Sequence, residues 1–549
     1  MGKRKQKRQQ TSNVERQKAY SGEADKAAVV KSEKKKTIFF LALILMLAVI
    51  VFSNSLSNGF TNWDDDRNVY ENPYIRNITT QNLAVYFTKP LLSMYTPLIY
   101  LSYAMDYKIG QLNPSVYHTT NLLLHLINIV LVFFVIRRLT ENIEMAAIVA
   151  LFFGIHPMNV GAVAPVSVRS SLLYSMFYLA AYISYIVYIK DGFRKRYILL
   201  SFVFFVLSVL SKSAAVIFPL LLVLTDWYYQ RKFNSKTLIE KIPFVIISVV
   251  SGILTIVFRE DVEHIGSPYS FAMFERIFLV SYALVFYLAK LVLPFNLSAY
   301  YPYPEKASGM LPRMYYLAPF ILAAVVFAIA KAQRYRRKLV FGGLFFMIHI
   351  ALVLKVVPMG GEIVADRYVY LPYIGLLMIM GWWYSGLPPM NRKRLYVVVS
   401  CLICVLFFSV LSYQQTLIWK DSLTLYDSVL KKYPRLVLAY SNRGLAKRII
   451  GDHNGALDDY TKAIQIDPAY AIGYYNRAYT YVIKQNYDAA LRDYDKAIEL
   501  NSYNPDMLFN RGLVRFLTGN KQGACEDWRK AFQLGDSQAD ETLRRHCVK

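Results

Sequence analysis

The sequence predicts an all-α protein in two parts: a polytopic helical membrane domain, then an α-solenoid of short repeats. Three observations predict it. The chain is 55% apolar and only 18% charged, too little charge for a soluble protein of 549 residues. Apolar runs of membrane-spanning length recur from Thr37 to residue 412. Beyond residue 412 these runs stop and a 34-residue period appears.

Residues 1–36 hold twelve Lys/Arg against four acids and no apolar periodicity, which predicts a disordered basic cytoplasmic tail. Thr37–Ser55 follows as an uncleaved first span, since no small-residue cleavage pattern trails it. A polar loop at 58–95 comes next. Further apolar runs lie near 115–136, 145–160, 170–189, 197–211, 213–229, 242–258, 274–293, 315–330, 340–357, 371–387 and 395–412. Basic clusters at Arg137–Arg138, Lys190 with Arg194–Arg196, Arg231–Lys241, Lys331–Lys338 and Arg392–Arg394 mark the cytoplasmic side. Loops 58–95, 156–169 and 358–370 then share the opposite side. Parity is awkward around 242–258 and 274–293, and the expectation is about 11 spans within a domain of residues 37–412, with residues 413–549 outside the cytoplasm.

In that last segment Asn442, Asn476 and Asn510 stand 34 apart, each followed by Arg. Ala456, Ala490 and Ala524 keep the phase, as do Tyr460, Tyr494 and Trp528, then Ala463, Ala497 and Ala531. This is the helix–turn–helix period of tetratricopeptide repeats, in which small residues let helices approach and an aromatic fills the gap. Such a solenoid offers a surface to a protein acceptor or partner.

The net charge of +26 sits in the tail and in short clusters between apolar runs, so it indicates membrane topology and not a nucleic-acid partner. Four cysteines exclude a disulfide framework. Cys401 and Cys404 form C-x-x-C inside an apolar helix with no His nearby, which argues against zinc or redox work. Cys525 and Cys547 fall at neighbouring ends of two predicted helices, where a disulfide is feasible in an oxidising compartment. Walker, Rossmann, G-x-S-x-G and H-E-x-x-H patterns are missing.

The residues able to carry chemistry cluster at the non-cytoplasmic edges. Asp64, Asp65 and Asp66 are adjacent carboxylates that raise one another's pKa, apt for a general base, for a divalent metal through oxygen ligands or, more blandly, for an acidic turn. His156 precedes Pro157 at a helix end, a place for a catalyst or a hydrogen-bonded cap. Lys212 lies between two apolar runs, so it either snorkels or binds an anion such as a lipid phosphate. Arg367, between Asp366 and Tyr368, either grips a phosphate or pairs with Asp366. Arg169 follows His156 by thirteen residues, and His118 opens a long helix.

In chain order the motifs are Trp63-Asp64-Asp65, Tyr95-Thr96-Pro97, Tyr117-His118 with Asn121, His156-Pro157, Ser211-Lys212, the Ala365–Pro372 segment, and the terminal repeats. In this order the chain resembles the transmembrane and tetratricopeptide-repeat-containing proteins, similar to protein O-mannosyltransferases of the GT-C glycosyltransferase fold. The resemblance implies transfer of a sugar from a polyprenyl-phosphate donor to a hydroxyl of a protein or envelope glycan, on the extracytoplasmic side. It assigns Asp64 or Asp65 as base and implies neither metal nor cofactor. Arg367, Lys212, Arg169 and His156 become donor-phosphate ligands, with Asp366, Tyr368 and His118 as further cavity residues. A bacterial inner membrane is the expected location. The chain departs from the family pattern at Thr96, Gly161, Pro165, Ser170, Ser171 and Ser213. Loss of charge at Gly161, Ser170 and Ser171 signals either an altered substrate or a catalytically degenerate, membrane-anchored repeat scaffold for envelope assembly.

Overall fold

The computed structural model describes residues 31–91, 95–258, 271–356, 360–388 and 392–547. The basic segment 1–30 lies outside them. Residues 31–36, expected in the tail, instead form the first turns of the opening helix, Lys31–Ser57. Their lysines extend an apolar rod whose backbone is already paired, so the helix continues beyond its apolar stretch.

The described residues are helical, with isolated bridges at Pro302–Glu362 and Ala307–Met310 and no strand. Six helices are long and apolar enough to cross a membrane: Lys31–Ser57, Pro114–Thr140, Arg169–Lys190, Ser235–Val257, Arg313–Lys331 and Arg394–Leu417. A seventh crossing is made if Ile143–Ile155 and Pro157–Val163, bent by 53° at His156, count as one. Eleven spans are thus not reached by full-length helices. Several of the apolar runs fold as shorter helices, Lys195–Ser211, Phe218–Tyr228, Arg336–Ile350 and Pro372–Ser385. Met273–Val292 is long enough but carries Glu275, Arg276 and Lys290.

Helix starts follow local chemistry. Proline opens the helices at Pro97, Pro114 and Pro372, where its missing N–H costs nothing. Asn142 caps Ile143–Ile155 by accepting from the Met145 N–H at 2.9 Å. Arg336–Ile350 crosses Pro372–Ser385 where Gly342 faces Gly375. A Cβ on Gly375 would lie 2.5 Å from the Gly342 carbonyl oxygen, so only glycine permits this approach.

The repeat domain begins at Ser422–Lys432 and runs through antiparallel pairs to Ser537–His546. Asp452, Asn486 and Asn520, again one period apart, cap the second helix of successive repeats through the N–H of Gly455, Ala489 and Gly523. Tyr460, Tyr494 and Trp528 are buried between helices, as the spacing predicts. The recurrent arginines are internal staples: Arg443, Arg477 and Arg511 each fork onto Asp459, Asp493 or Asp527 of the following helix. Cys525 and Cys547 form a disulfide with Cα atoms 5.8 Å apart. Cys401 and Cys404 are free thiols on the Arg392–Leu417 helix.

The two parts are joined through the acidic loop. The Gly59 N–H donates to the Lys420 carbonyl at 2.8 Å, and Asn62 donates to the Asn442 carbonyl at 2.9 Å. The Tyr426 hydroxyl donates to the Asn62 carbonyl at 3.1 Å, and Trp63 lies edge-on to Trp419 at 6.1 Å. The first repeats therefore position the loop that carries Asp64.

Candidate active site

The described parts of the three loops, 58–91, 156–169 and 360–370, are separated widely in sequence and converge in the fold. Asp65 makes one of the connections. Its buried carboxylate accepts from the Thr61 N–H at 2.8 Å, the Thr61 hydroxyl at 3.0 Å and the Ser167 N–H at 2.8 Å. Both oxygens accept from protein donors and the carboxylate is buried, so Asp65 ties the first loop to the second and is withdrawn from solvent. Burial raises its pKa, and those hydrogen bonds oppose the rise.

Asp64 is the solvent-accessible neighbour, set in a recess lined by protein. Desolvation there lifts its pKa to about 6, with Asp66 and Asp65 pushing the same way and the Arg367 guanidinium pulling it down. Such a carboxylate is charged at neutral pH yet basic enough to take a proton.

Arg367 faces that recess from the third loop. Its guanidinium pairs with Glu362, not with the adjacent Asp366. The Tyr368 hydroxyl donates to the same Glu362 oxygen at 2.9 Å, and Arg367 lies over the Tyr368 ring at 5.1 Å. Glu362 and Asp64 together hold Arg367 firmly protonated. Asp366 points elsewhere: it is buried and accepts from the Tyr301 hydroxyl at 2.8 Å. Burial raises Asp366 to about 7 despite that bond and the fields of Lys432 and Lys290.

Lys212 completes the group, close enough to Arg367 for the two cations to repel. Its ammonium donates to the Ser171 hydroxyl at 2.9 Å and lies 5.6 Å from the Tyr174 ring centre. Two neighbouring cations, of which Lys212 has no carboxylate partner among the described residues, suit an anion. Lys355 lies 5.8 Å from the Tyr368 ring centre.

The departures at Gly161 and Ser171 have physical counterparts here. A Cβ on Gly161 would stand 3.1 Å from the Asp366 Cβ and 3.5 Å from the Arg367 nitrogen, so glycine lets the third loop close on the second. Ser171 receives the Lys212 ammonium.

Arg169, His156 and His118 are placed apart from this cluster. Arg169 is fully buried, paired with Asp106 at 2.5 Å, and donates to Asn121 Oδ1 at 2.8 Å, the Tyr117 carbonyl at 3.0 Å and the Ser102 hydroxyl at 3.2 Å. Its ring neighbour Tyr103 lies at 4.5 Å. With four of its five N–H donors engaged and its charge already paired with Asp106, it braces the helices from within the core. His156 is a cap: Nδ1 accepts from the Met158 N–H at 3.2 Å, which leaves Nε2 to donate to the Leu291 carbonyl at 3.1 Å. His118 is buried, with Nε2 3.3 Å from the Gly59 carbonyl.

Glu362 and Lys355 were missed by motif reasoning, which named Ser171 only as a departure from the family pattern. Glu362 alone left a trace, as the acid five residues before Arg367 in the same loop.

The comparisons with known proteins agree with the resemblance read from the motifs. Tetratricopeptide-repeat families match residues 437–470, 459–492 and 478–519. The chain is 24% identical over 475 residues to a protein O-mannosyl-transferase of Caenorhabditis elegans, covering 81% of this chain and 66% of that protein. It is 29% identical over 153 residues to the protein O-mannosyl-transferase TMTC3 of Mus musculus, covering 26% of this chain and 16% of that one. The chain thus spans less than two thirds of these relatives. Among solved structures, ArnT from Cupriavidus metallidurans, bound to undecaprenyl phosphate, aligns over 85% of this chain and 79% of its own at 14% identity and a TM-score of 0.36.

Proposed function

We propose that this chain, a relative of protein O-mannosyl-transferases, is an integral-membrane glycosyltransferase that moves a sugar from a polyprenyl-phosphate donor to a hydroxyl of a protein or glycan acceptor. The observation that supports it is the meeting of Asp64, Arg367 and Lys212 in one recess formed by three distant segments. Transfer breaks the bond between the anomeric carbon and the phosphate oxygen and forms one to the acceptor oxygen. The acceptor proton goes to Asp64, and the phosphate leaves with the bonding electron pair. Arg367 and Lys212 stabilise that developing charge, while Glu362 fixes the orientation of Arg367. Asp65 positions Asp64 by holding its loop.

The basic clusters support a recess on the side opposite the cytoplasm. The Cys525–Cys547 disulfide fits an oxidising compartment for the repeats. Through Asn62, Trp63 and Tyr426 the repeats stand beside the recess, where they can present a polypeptide acceptor.

The test is transfer of radiolabelled hexose from a polyprenyl-phosphate donor to an acceptor peptide by the purified protein in nanodiscs. Transfer that drops at least a hundredfold in Arg367→Gln supports the reading. Transfer undiminished in both Arg367→Gln and Lys212→Gln overturns it.

A further inference from the structure

At the opposite end of the same bundle lies a second cavity, of about 800 Å³, between the Lys195–Ser211 helix and the helical stretch Ser235–Val257. Along the Lys195–Ser211 helix its rim at Lys195 lies about 25 Å, and its floor at Phe202 about 15 Å, from Lys212, and it shares no lining residue with the recess above. Its floor is apolar: Leu199, Phe202, Ile239 and Phe244 line it, with Phe202 edge-on to Phe244 at 5.4 Å. Its rim is cationic, formed by Lys195, Arg196 and Lys236.

The charge balance decides what fits. Glu240, the acid in the lining, is already neutralised by Arg231 and Lys241, which also serve Asp226. Lys195 and Lys236 have no ion-pair partner among the described residues. Arg196 donates to the Tyr197 hydroxyl at 2.8 Å, and its one carboxylate among the described residues is Asp191, at 4.0 Å, which also takes Arg194 at 3.4 Å. Arg194, Lys195 and Arg196 moreover crowd the N-terminus of a helix, where the macrodipole is positive and no side chain caps the free N–H groups. Cations there are disfavoured unless an anion joins them.

We propose that this cavity binds an anionic phospholipid of the leaflet at the basic end, its phosphate on Lys195, Arg196 and Lys236 and an acyl chain along Leu199, Phe202 and Ile239. An amphipathic ligand is required because rim and floor are contiguous, and the membrane supplies it from beside the groove.

The test uses the full chain in detergent, titrated with phosphatidylglycerol, phosphatidylcholine or the deacylated head group glycerophosphoglycerol, with bound lipid read by native mass spectrometry. Phosphatidylglycerol is expected to bind at least tenfold more tightly than phosphatidylcholine, and the head group alone to bind weakly. Each of Lys195→Gln and Lys236→Gln should weaken phosphatidylglycerol roughly fivefold at low salt. These side chains hold nothing in the fold, so the single variants remain informative should a triple variant fail to fold. Leu199→Trp, which fills the floor and spares the cations, should weaken both lipids. Equal affinity for the two lipids, phosphatidylglycerol binding unchanged in both lysine variants, or head group binding as tightly as lipid would each overturn the proposal.

Discussion

Exchanging Asp64 and Asp65 singly for Asn separates a chemical role from a structural one at adjacent residues. In Asp64→Asn the recess keeps its shape but has no base, and loss of a general base costs roughly 10²–10⁴ in rate. Asp65→Asn acts differently. Its amide nitrogen must replace one carboxylate oxygen, so either the Thr61 or the Ser167 N–H, each now 2.8 Å from oxygen, faces a donor. Leaving one such buried donor unpaired costs about 1–3 kcal/mol. The linkage has a definite sign for Asp64. Its native pKa of about 6 lies above the ordinary 3.8, so the ionised side chain weighs against folding at neutral pH, and below about pH 4 the effect vanishes. Asp64→Asn should therefore keep or raise Tm at pH 7.5, with no difference from wild type at pH 4. The assays are thermal unfolding at both pH values and sugar transfer, run on both variants. Normal transfer by Asp64→Asn, or an Asp65→Asn that loses transfer while keeping wild-type Tm, would refute the division of labour.

Transfer by the wild type should rise with pH along a limb centred near 6, because a base protonated below that value cannot accept the acceptor proton; a rate flat from pH 5 to 8 contradicts this. Arg169→Met should destabilise by about 3–5 kcal/mol, since it leaves Asp106 buried and unpaired. Wild-type Tm together with weakened donor binding in that variant would instead return Arg169 to the phosphate site. Trp63→Ala removes the ring that meets Trp419, Tyr426 and Tyr300, and should open the connector at 418–421 to limited proteolysis. Unchanged cleavage would mean that the hydrogen bonds of Asn62 dock the repeats alone.

What the sequence disclosed depended on the range of the interactions. The repeats were legible because one set of contacts recurs every 34 residues, down to the capping Asp452, Asn486 and Asn520. The span count was not, since apolar runs such as 213–229 fold as short helices that composition cannot tell from full crossings. Within the candidate site, charge and position drew attention to Asp64, Asp65, Arg367, Lys212, Arg169 and His156, and the resemblance proposed their roles. They did not separate Asp64 from Asp65, because the difference lies in a backbone N–H at Ser167, about a hundred residues on. Nor did they reveal that Arg169 is held by Asp106, Ser102 and Asn121 from two other helices, a set of partners that exists only after packing.

The central claim is that one recess separates holding the donor phosphate from accepting the acceptor proton. The direct measurement is donor binding and sugar transfer, side by side, for Asp64→Asn and Arg367→Gln in nanodiscs with a polyprenyl-phosphate hexose. The expected result is a split: Asp64→Asn binds the donor as the wild type does and transfers nothing, while Arg367→Gln loses binding and transfer together. Donor binding lost in Asp64→Asn and kept in Arg367→Gln would contradict it.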